Sequence, residues 1–350
     1  MTPKKQKKIV FFGTPEFAKI ILEKLMITEF KPVIVVTAPD KPVGRKQILS
    51  ASPVKQLAQE HKIKLIQPKL LNNAAGQELI EIAPDLFIIA AYGLILPQEI
   101  LNIPKFGSLN IHPSLLPKYR GASPIQATIL ANDQKTGTTI MLMDEKIDHG
   151  PILAQQELEI RNSKLETRNK SKIPRLPDAL SRQAIGGQAI TKITCTELNI
   201  ELAILGADLL IDTLPKWFEK EIKPLPQDHK KASFTRLIKK IHGKIVWRRS
   251  AEQIEQMLRA YQPWPGIYTN LTMKQFNNLT KKLKIIKIDI LEIDHNKQPG
   301  TVFLTKNKEL AVACDKNALI LKQIQLQGKK PTSGKSFLNG HQQIINTILS

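Results

Sequence analysis

The first forty residues constrain the fold most. Ile9 to Phe12 is an unbroken apolar run that stops at Gly13-Thr14-Pro15. Glu16 to Thr28 then sets Phe17, Ile21 and Leu25 four apart, with Ala18 and Leu22 beside them, which predicts an amphipathic helix. Val33 to Thr37 follows as a continuous β-branched strand. Strand, glycine-containing turn, helix, strand is a βαβ unit, which commits the chain to a parallel sheet with a right-handed crossover. The turn FGTPEF lacks the G-x-G-x-x-G spacing, so no dinucleotide cofactor is expected.

The same alternation continues. Val54 to Glu60 reads as a helix, Ile63 to Ile66 as a strand and Glu78 to Ile82 as a helix. Asp85 to Ala91 is a buried strand that ends in Tyr92-Gly93-Leu94-Ile95-Leu96-Pro97, a tight turn using Gly93. Ser123 to Ala131 is a helix, with Ser123 as its cap and Pro124 at its first position. Strands over Thr138 to Met143 and Ile152 to Ile160 precede a helix from Thr196 to Phe218.

Between the last two, Arg161 to Thr194 is polar, basic and weakly patterned, and reads as an inserted, flexible surface segment. Glu219 to Ala232 has a linker's composition. Beyond it come a basic strand KIVWRR, a helix from Ser250 to Ala260 and the aromatic turn YQPWPGIY. Strands over Leu283 to Ile293, Gly300 to Leu304, Leu310 to Cys314 and Ala318 to Leu326 follow, and a helix near Phe337 to Ile348 closes the chain. So many short strands predict a small OB-like barrel. The expected organisation is an α/β, Rossmann-like domain over 1–218 with an insertion at 161–194, a linker at 219–238, and a smaller β-rich OB-like domain over 239–350. Gly334-Lys335-Ser336 imitates the end of a phosphate-binding loop, but Lys329 stands where that loop needs glycine.

Charge bounds the partners. The net charge is +21 over 350 residues, which reflects either a lysine-rich composition or a polyanionic partner steered in by the field. With aromatic residues at 5%, phosphate contact is expected more than base stacking. No apolar run approaches the roughly 20 residues that span a bilayer. The basic start MTPKKQKK precedes too short an apolar run for a signal peptide. Cys195 and Cys314 lie far apart without metal-ligand spacing, which fits a reducing, cytoplasmic setting and no metal.

The chemistry concentrates in GSLNIHPSLLPKYRG, Gly107 to Gly121. Leu109 and Ile111 end a strand, so Asn110 and His112 project together to its other face. An amide donor beside an imidazole can serve acyl transfer, one holding an oxyanion and the other moving a proton. The same pair also suits a hydrogen-bonded turn. Farther on, Asp144-Glu145-Lys146-Ile147-Asp148-His149-Gly150-Pro151 offers Asp144, Asp148 and His149 as further candidates by spacing alone.

Asn110-x-His112-x-Ser114-Leu115-Leu116-Pro117 with Gly121, together with FFGTPEFA, AYGLILP and Asp148-x-Gly150, resembles the signature of the formyltetrahydrofolate-dependent formyltransferases. The resemblance covers nearly all of the chain except the insertion and the first few residues. It implies a formyltransferase domain followed by a tRNA-binding domain, and transfer of a formyl group from 10-formyltetrahydrofolate to the α-amine of methionine on initiator tRNA. Within the acidic turn it selects Asp148, and Asn110, His112 and Asp148 are the implied catalytic residues. Tyr92 and Gly93, with Ser114, Leu115, Leu116 and Pro117, are the implied folate-holding residues. The basic segment from Ala38 to Lys55 resembles the family's acceptor-end loop, which implies tRNA contact through Lys41, Arg45 and Lys46. Lys281, Lys282, Lys284, Lys287, Lys329, Lys330 and Lys335 are expected to meet RNA backbone. The protein is expected to act as a monomer, off the membrane and without a metal. A small-molecule formyltransferase, a formyltetrahydrofolate hydrolase and a non-catalytic RNA-binding protein remain as rivals.

Overall fold

A computed structural model describes residues 6–43, 47–71, 73–160, 192–273 and 279–350. The first part is a seven-stranded mixed sheet. Its strands are β1 (Ile9–Gly13), β2 (Ile34–Val36), β5 (Lys64–Ile66), β6 (Leu86–Ala90), β7 (Ser108–His112), β9 (Lys135–Leu142) and β10 (Ile152–Glu159). The order across the sheet is β10-β9-β7-β6-β1-β2-β5. The five strands from β7 to β5 run parallel, and β9 and β10 add an antiparallel edge.

Period-two alternation divides the sheet's residues between two apolar layers. Ile9, Phe11, Val35, Leu86, Ile88, Leu109 and Ile111 face one cluster. Helices α1 (Glu16–Met26), α2 (Pro53–Glu60), α5 (Pro124–Leu130) and α6 (Cys195–Phe218) cover that face. Val10, Phe12, Ile34, Val36, Phe87 and Ile89 face the other, beneath α3 (Asn73–Ile82) and α4 (Gln98–Leu101). Helix α1 shows how the sequence sets the layer. Phe17, Ala18, Ile21, Leu22 and Leu25 are all buried, and each large side chain contributes about 1.5–3 kcal/mol by burial. The order reverses beside β1, whose chain runs out to β2 and β5 before returning to β6. In open α/β sheets such a crevice, at the strands' carboxyl ends, is where ligands bind.

Several local expectations are corrected. The segment read as a loop after β2 contains a hairpin of β3 (Lys41–Val43) and β4 (Ile48–Ser50), paired antiparallel. Ser123 occupies the N-cap position of α5 but its side chain makes no capping bond, while Pro124 is the first helical residue as expected. Helix α6 has a complete capping box from Thr194 and Glu197. The 161–191 part of the expected insertion lies outside the described residues.

The 219–238 connector is docked along much of its length. Leu225 bridges Ile152, Gln227 is buried, and β11 (Phe234–Thr235) pairs in parallel with β8 (Arg120–Gly121). KIVWRR is not a strand. Lys244 alone bridges Tyr268, and the chain turns where Arg249 N donates to Val246 O at 3.0 Å.

The second part carries α7 (Ala251–Tyr261) and an antiparallel sheet. Its strands are β12 (Ile267–Met273), β13 (Leu279–Leu291), β14 (Val302–Leu304), β15 (Leu310–Ala313), β16 (Ala318–Leu326) and β17 (Thr332–Ser333). The path is β12-β13-β16-β15-β14, with β17 on β16. β-bulges near Ile285 and Lys287 bend the long strand β13, as an extra residue on one side of a ladder does. The closing helix is shorter than expected: α8 (Gly334–Asn339) stops at Gly340, and the chain then pairs with the Gly300–Val302 segment through Asn346 N and Leu349 N. The two parts share one apolar cluster. Ile125 and Ile129 of α5, Leu198 and Leu202 of α6, and Ile254, Met257 and Leu258 of α7 all belong to it.

Candidate active site

Strand β7 delivers Asn110 and His112 to the face opposite its buried Leu109 and Ile111. Pro113 ends the strand, and the following loop is closed by its own Ser114 and by Thr139 of β9. Ser114 Oγ donates to Lys118 O at 2.6 Å, Thr139 Oγ1 donates to Ser114 O at 2.6 Å, and Leu116 N donates to Thr139 Oγ1 at 3.1 Å. The loop thereby brings the carbonyl of Tyr119 to 2.9 Å from His112 Nε2. A carbonyl only accepts, so this network assigns the proton to Nε2 and leaves Nδ1 as the free basic nitrogen.

Asp148 arrives from the turn after β9, with its backbone in the left-handed region at φ 47°. Asn110 Nδ2 donates to its Oδ1 at 3.3 Å and Gly121 N donates to its Oδ2 at 2.7 Å. His112 Nδ1 lies 3.6 Å from the same Oδ2. The side chains of His112 and Asp148 are 5% and 14% exposed, so little water screens their interaction. Two glycines make this approach possible. Gly121 has φ 101°, and a Cβ there would strike the carbonyl of Thr235. A Cβ on Gly150 would strike the carbonyl of Leu142.

Of the three candidates in the acidic turn, only Asp148 reaches Asn110 and His112. Asp144 is turned away, with Oδ2 held 2.6 Å from His149 Nδ1 and Oδ1 accepting from Lys146 N at 3.0 Å.

Residues without a sequence-level role complete the site. Buried Arg120 donates through Nε and Nη2 to Gln227 Oε1 at 3.1 and 2.7 Å, and its Nη2 lies 2.8 Å from His229 Nδ1. Gln227 Nε2 donates to the carbonyls of Asp148 and Gly150 at 3.0 and 2.7 Å. The rings of His149 and His229 stack with centroids 4.1 Å apart and an interplanar angle of 6°. No periodicity or motif marks Gln227 or His229, because they act through tertiary docking of a segment with a linker's composition.

The residues expected to hold folate divide by environment. Tyr92 is buried against Phe12 at 5.4 Å, and burial pushes its phenol up to about 12. Among the described residues its hydroxyl has no hydrogen-bond partner, while its carbonyl accepts from Thr14 Oγ1 at 3.1 Å and so joins the loops after β1 and β6. Gly93 has φ 87° and open space where a Cβ would stand, and Ile95 nearby is exposed. Ser114 and Leu116 are buried, whereas Leu115 and Pro117 are half-buried. Lys41 is exposed on the hairpin; Arg45 and Lys46 lie outside the described residues. The hairpin's base is fixed by Asp40, which takes Lys55 Nζ at 2.7 Å and Gln67 Nε2 at 3.0 Å. These bonds, Lys55's foremost, hold its carboxyl below the usual range. Among the described residues no group of three His, Cys, Asp or Glu is arranged to hold a metal, and no helix is long and apolar enough to cross a membrane.

Comparisons with known proteins agree with this architecture. The family model for formyl transferase matches residues 7–176, and that for the formyl transferase C-terminal domain matches residues 237–342. The chain is 38% identical over 344 residues to the methionyl-tRNA formyltransferase of Clostridium novyi (strain NT), covering 98% of this chain and 99% of that one. It is 37% identical over 338 residues to the methionyl-tRNA formyltransferase of Carboxydothermus hydrogenoformans, covering 97% and 98%. Among solved structures, HypX from Aquifex aeolicus in complex with tetrahydrofolic acid is similar with a TM-score of 0.58 at 13% identity, over 97% of this chain and 48% of that one. This chain thus spans about half the length of HypX. The N-formyltransferase from Helicobacter canadensis, in complex with folinic acid and dTDP-3-aminofucose, aligns with a TM-score of 0.56 at 20% identity, over 90% and 98%. At these identities the two structures speak for the fold.

Proposed function

The chain belongs to the formyl transferase family, and from that premise we propose that it moves a formyl group from 10-formyltetrahydrofolate to the α-amine of methionine on initiator methionyl-tRNA. The observation that carries the proposed site is the convergence of Asn110, His112 and Gly121 on the Asp148 carboxylate, within 2.7 to 3.6 Å.

In this reading the attacking amine forms the new C–N bond, the oxygen of the formyl group gains negative charge, and the C–N bond to the folate then breaks. Asn110 spends one amide hydrogen on Asp148, and the second is the donor for the developing oxyanion. Such a donor is worth about 10²–10³ in rate. His112 Nδ1 takes the proton released by the amine, and the resulting imidazolium faces Asp148. The same nitrogen returns the proton to the departing folate nitrogen, so protons balance. Tyr119 O keeps the ring from turning, because it holds the Nε2 proton throughout. Asp148 orients both partners.

The residues present fit the cosubstrate. The proposed floor for it lies at the carboxyl ends of β1 and β6, where Gly93 has open space beside it, Ile95 is exposed and Thr14 Oγ1 ties the two loops together at the Tyr92 carbonyl. Such a floor suits a flat heteroaromatic ring with polar edges. When bound, the cosubstrate supplies an activated formyl group on an aryl amine nitrogen. Lys41, Arg45 and Lys46 are the proposed contacts to the acceptor end, and the lysines of β13 and of residues 329–335 the proposed contacts to RNA backbone. The test gives the protein 10-formyltetrahydrofolate with charged or uncharged initiator tRNA. Formyl on the charged methionine alone is expected; formyl released to water, or none on the tRNA, refutes the reading.

A further inference from the structure

Behind the proposed catalytic carboxylate lies a second polar chain, and its chemistry runs in one direction only. We propose that His229, seated between the Arg120 guanidinium and the His149 ring, is a positioning residue that holds the Asp148 turn in place only while its imidazole is unprotonated. This rests on the function proposed above and deepens it.

The direction of each bond is forced. A guanidinium only donates, so the Gln227 atom that takes Arg120 Nε and Nη2 is the amide oxygen. Its NH₂ must then face the carbonyls of Asp148 and Gly150, the geometry observed. The same Arg120 Nη2 points at His229 Nδ1, 2.8 Å away, so that nitrogen carries a lone pair and the ring's proton sits on Nε2. Gln227 thus holds the Asp148 backbone at its left-handed φ, Arg120 orients Gln227, and His229 anchors Arg120.

Protonation of Nδ1 would abolish the acceptor and set two cations at hydrogen-bond distance. The charged and titratable groups facing His229 are Arg120 on β8, and His149, Asp144 and Lys146 in the turn after β9; on its own segment stand Asp228, Lys230 and Lys231. Asp144, the acid in that turn which could favour a second positive charge, is already engaged by His149. Asp228 is engaged by Lys231 at 3.2 Å. Desolvation first, then His149 and Arg120, hold the His229 pKa below its ordinary 6.5. His229 is exposed, so it senses bulk pH. The sign follows: the unfolded chain takes this proton first, so the arrangement is complete above the ordinary value and is lost as pH falls through the lower folded value.

The test uses the full chain and follows kcat and KM for transfer to charged initiator tRNA between about pH 5.5 and 8.5. His229→Ala is expected to lower kcat about tenfold at pH about 7.5 to 8.5 with little change in KM, as misplacement of reacting groups does, and by progressively less at acid pH as the wild-type ring protonates. His229→Asn keeps an acceptor without a titrating proton; it should recover most of the rate and flatten the acid limb severalfold. An acid limb identical in wild type and His229→Asn overturns the proposal. Long-range ¹H–¹⁵N spectra need no substrate and decide separately. An Nε2–H tautomer for His229 at pH about 7.5 is expected, and an Nδ1–H tautomer or imidazolium there overturns the proposal. If the wild-type protein transfers no formyl at any pH, the function fails while the spectra still decide on His229.

Discussion

Asn110 and His112 divide the proposed work because one strand end presents them to the same side with different partners. Among the described residues Asp148 takes one of the amide hydrogens, and the imidazole is pinned at Nε2 by Tyr119 O, so the second amide hydrogen and Nδ1 are the proposed oxyanion donor and proton carrier. Asn110→Ala or His112→Ala should each lower kcat by about a hundredfold or more, from loss of an oxyanion donor or a proton carrier. Circular dichroism and tRNA affinity should stay unchanged, since neither side chain supports the apolar core. Full activity in either variant would remove that residue from the mechanism. At this scale Tyr92 changes meaning. Its ring is buried against Phe12, so of the two neighbouring residues proposed to hold folate the one that faces open space is Gly93.

Helix α7 is the element that decides whether the two parts behave as one. It rises from the second part yet buries Ile254, Met257 and Leu258 in the same apolar cluster as α5 and α6 of the first. Ile254 is fully buried, so Ile254→Ala should cost about 2–5 kcal/mol through lost transfer energy and the cavity left behind. Because the core is shared, thermal unfolding should show a single transition that moves down as a whole. Two separated transitions, with only the later part shifted, would show that the parts unfold independently. The same packing argues against probing RNA binding by cutting the chain after residue 238, since that would strip a covering helix from Ile125 and Ile129.

Over the whole molecule the field is strongly positive, with a net charge of +21. Lys282 and Lys287 on β13 are exposed, and Lys282 Nζ sits 4.7 Å over the Tyr268 ring. If these lysines meet phosphates, Lys282→Glu with Lys287→Glu should weaken tRNA binding at low salt. It should also flatten the plot of log K against log salt by roughly 0.7–0.9 for each lost contact. The rate with saturating tRNA should change far less than the affinity. An unaltered slope would take β13 out of the RNA interface.

Local pattern determined a great deal. The βαβ opening, the apolar strands, the helices at 16–26 and 195–218 and the strand-end pair Asn110 and His112 were legible because side-chain period follows backbone geometry alone. The choice of Asp148 over Asp144 was not legible from spacing, since both lie in one turn; it depends on which carboxylate the folded loop turns toward β7. Gln227, Arg120 and His229 were invisible as a unit because their contacts span about a hundred residues of chain and follow no period. The supposed strand KIVWRR failed for the same reason: alternation is necessary for a strand, but only neighbours in space supply its hydrogen bonds. Sequence thus set each element's preferred form and its apolar face, which are local energies. The folded chain decided which distant polar groups meet, because those bonds exist only after the core has brought their backbones together.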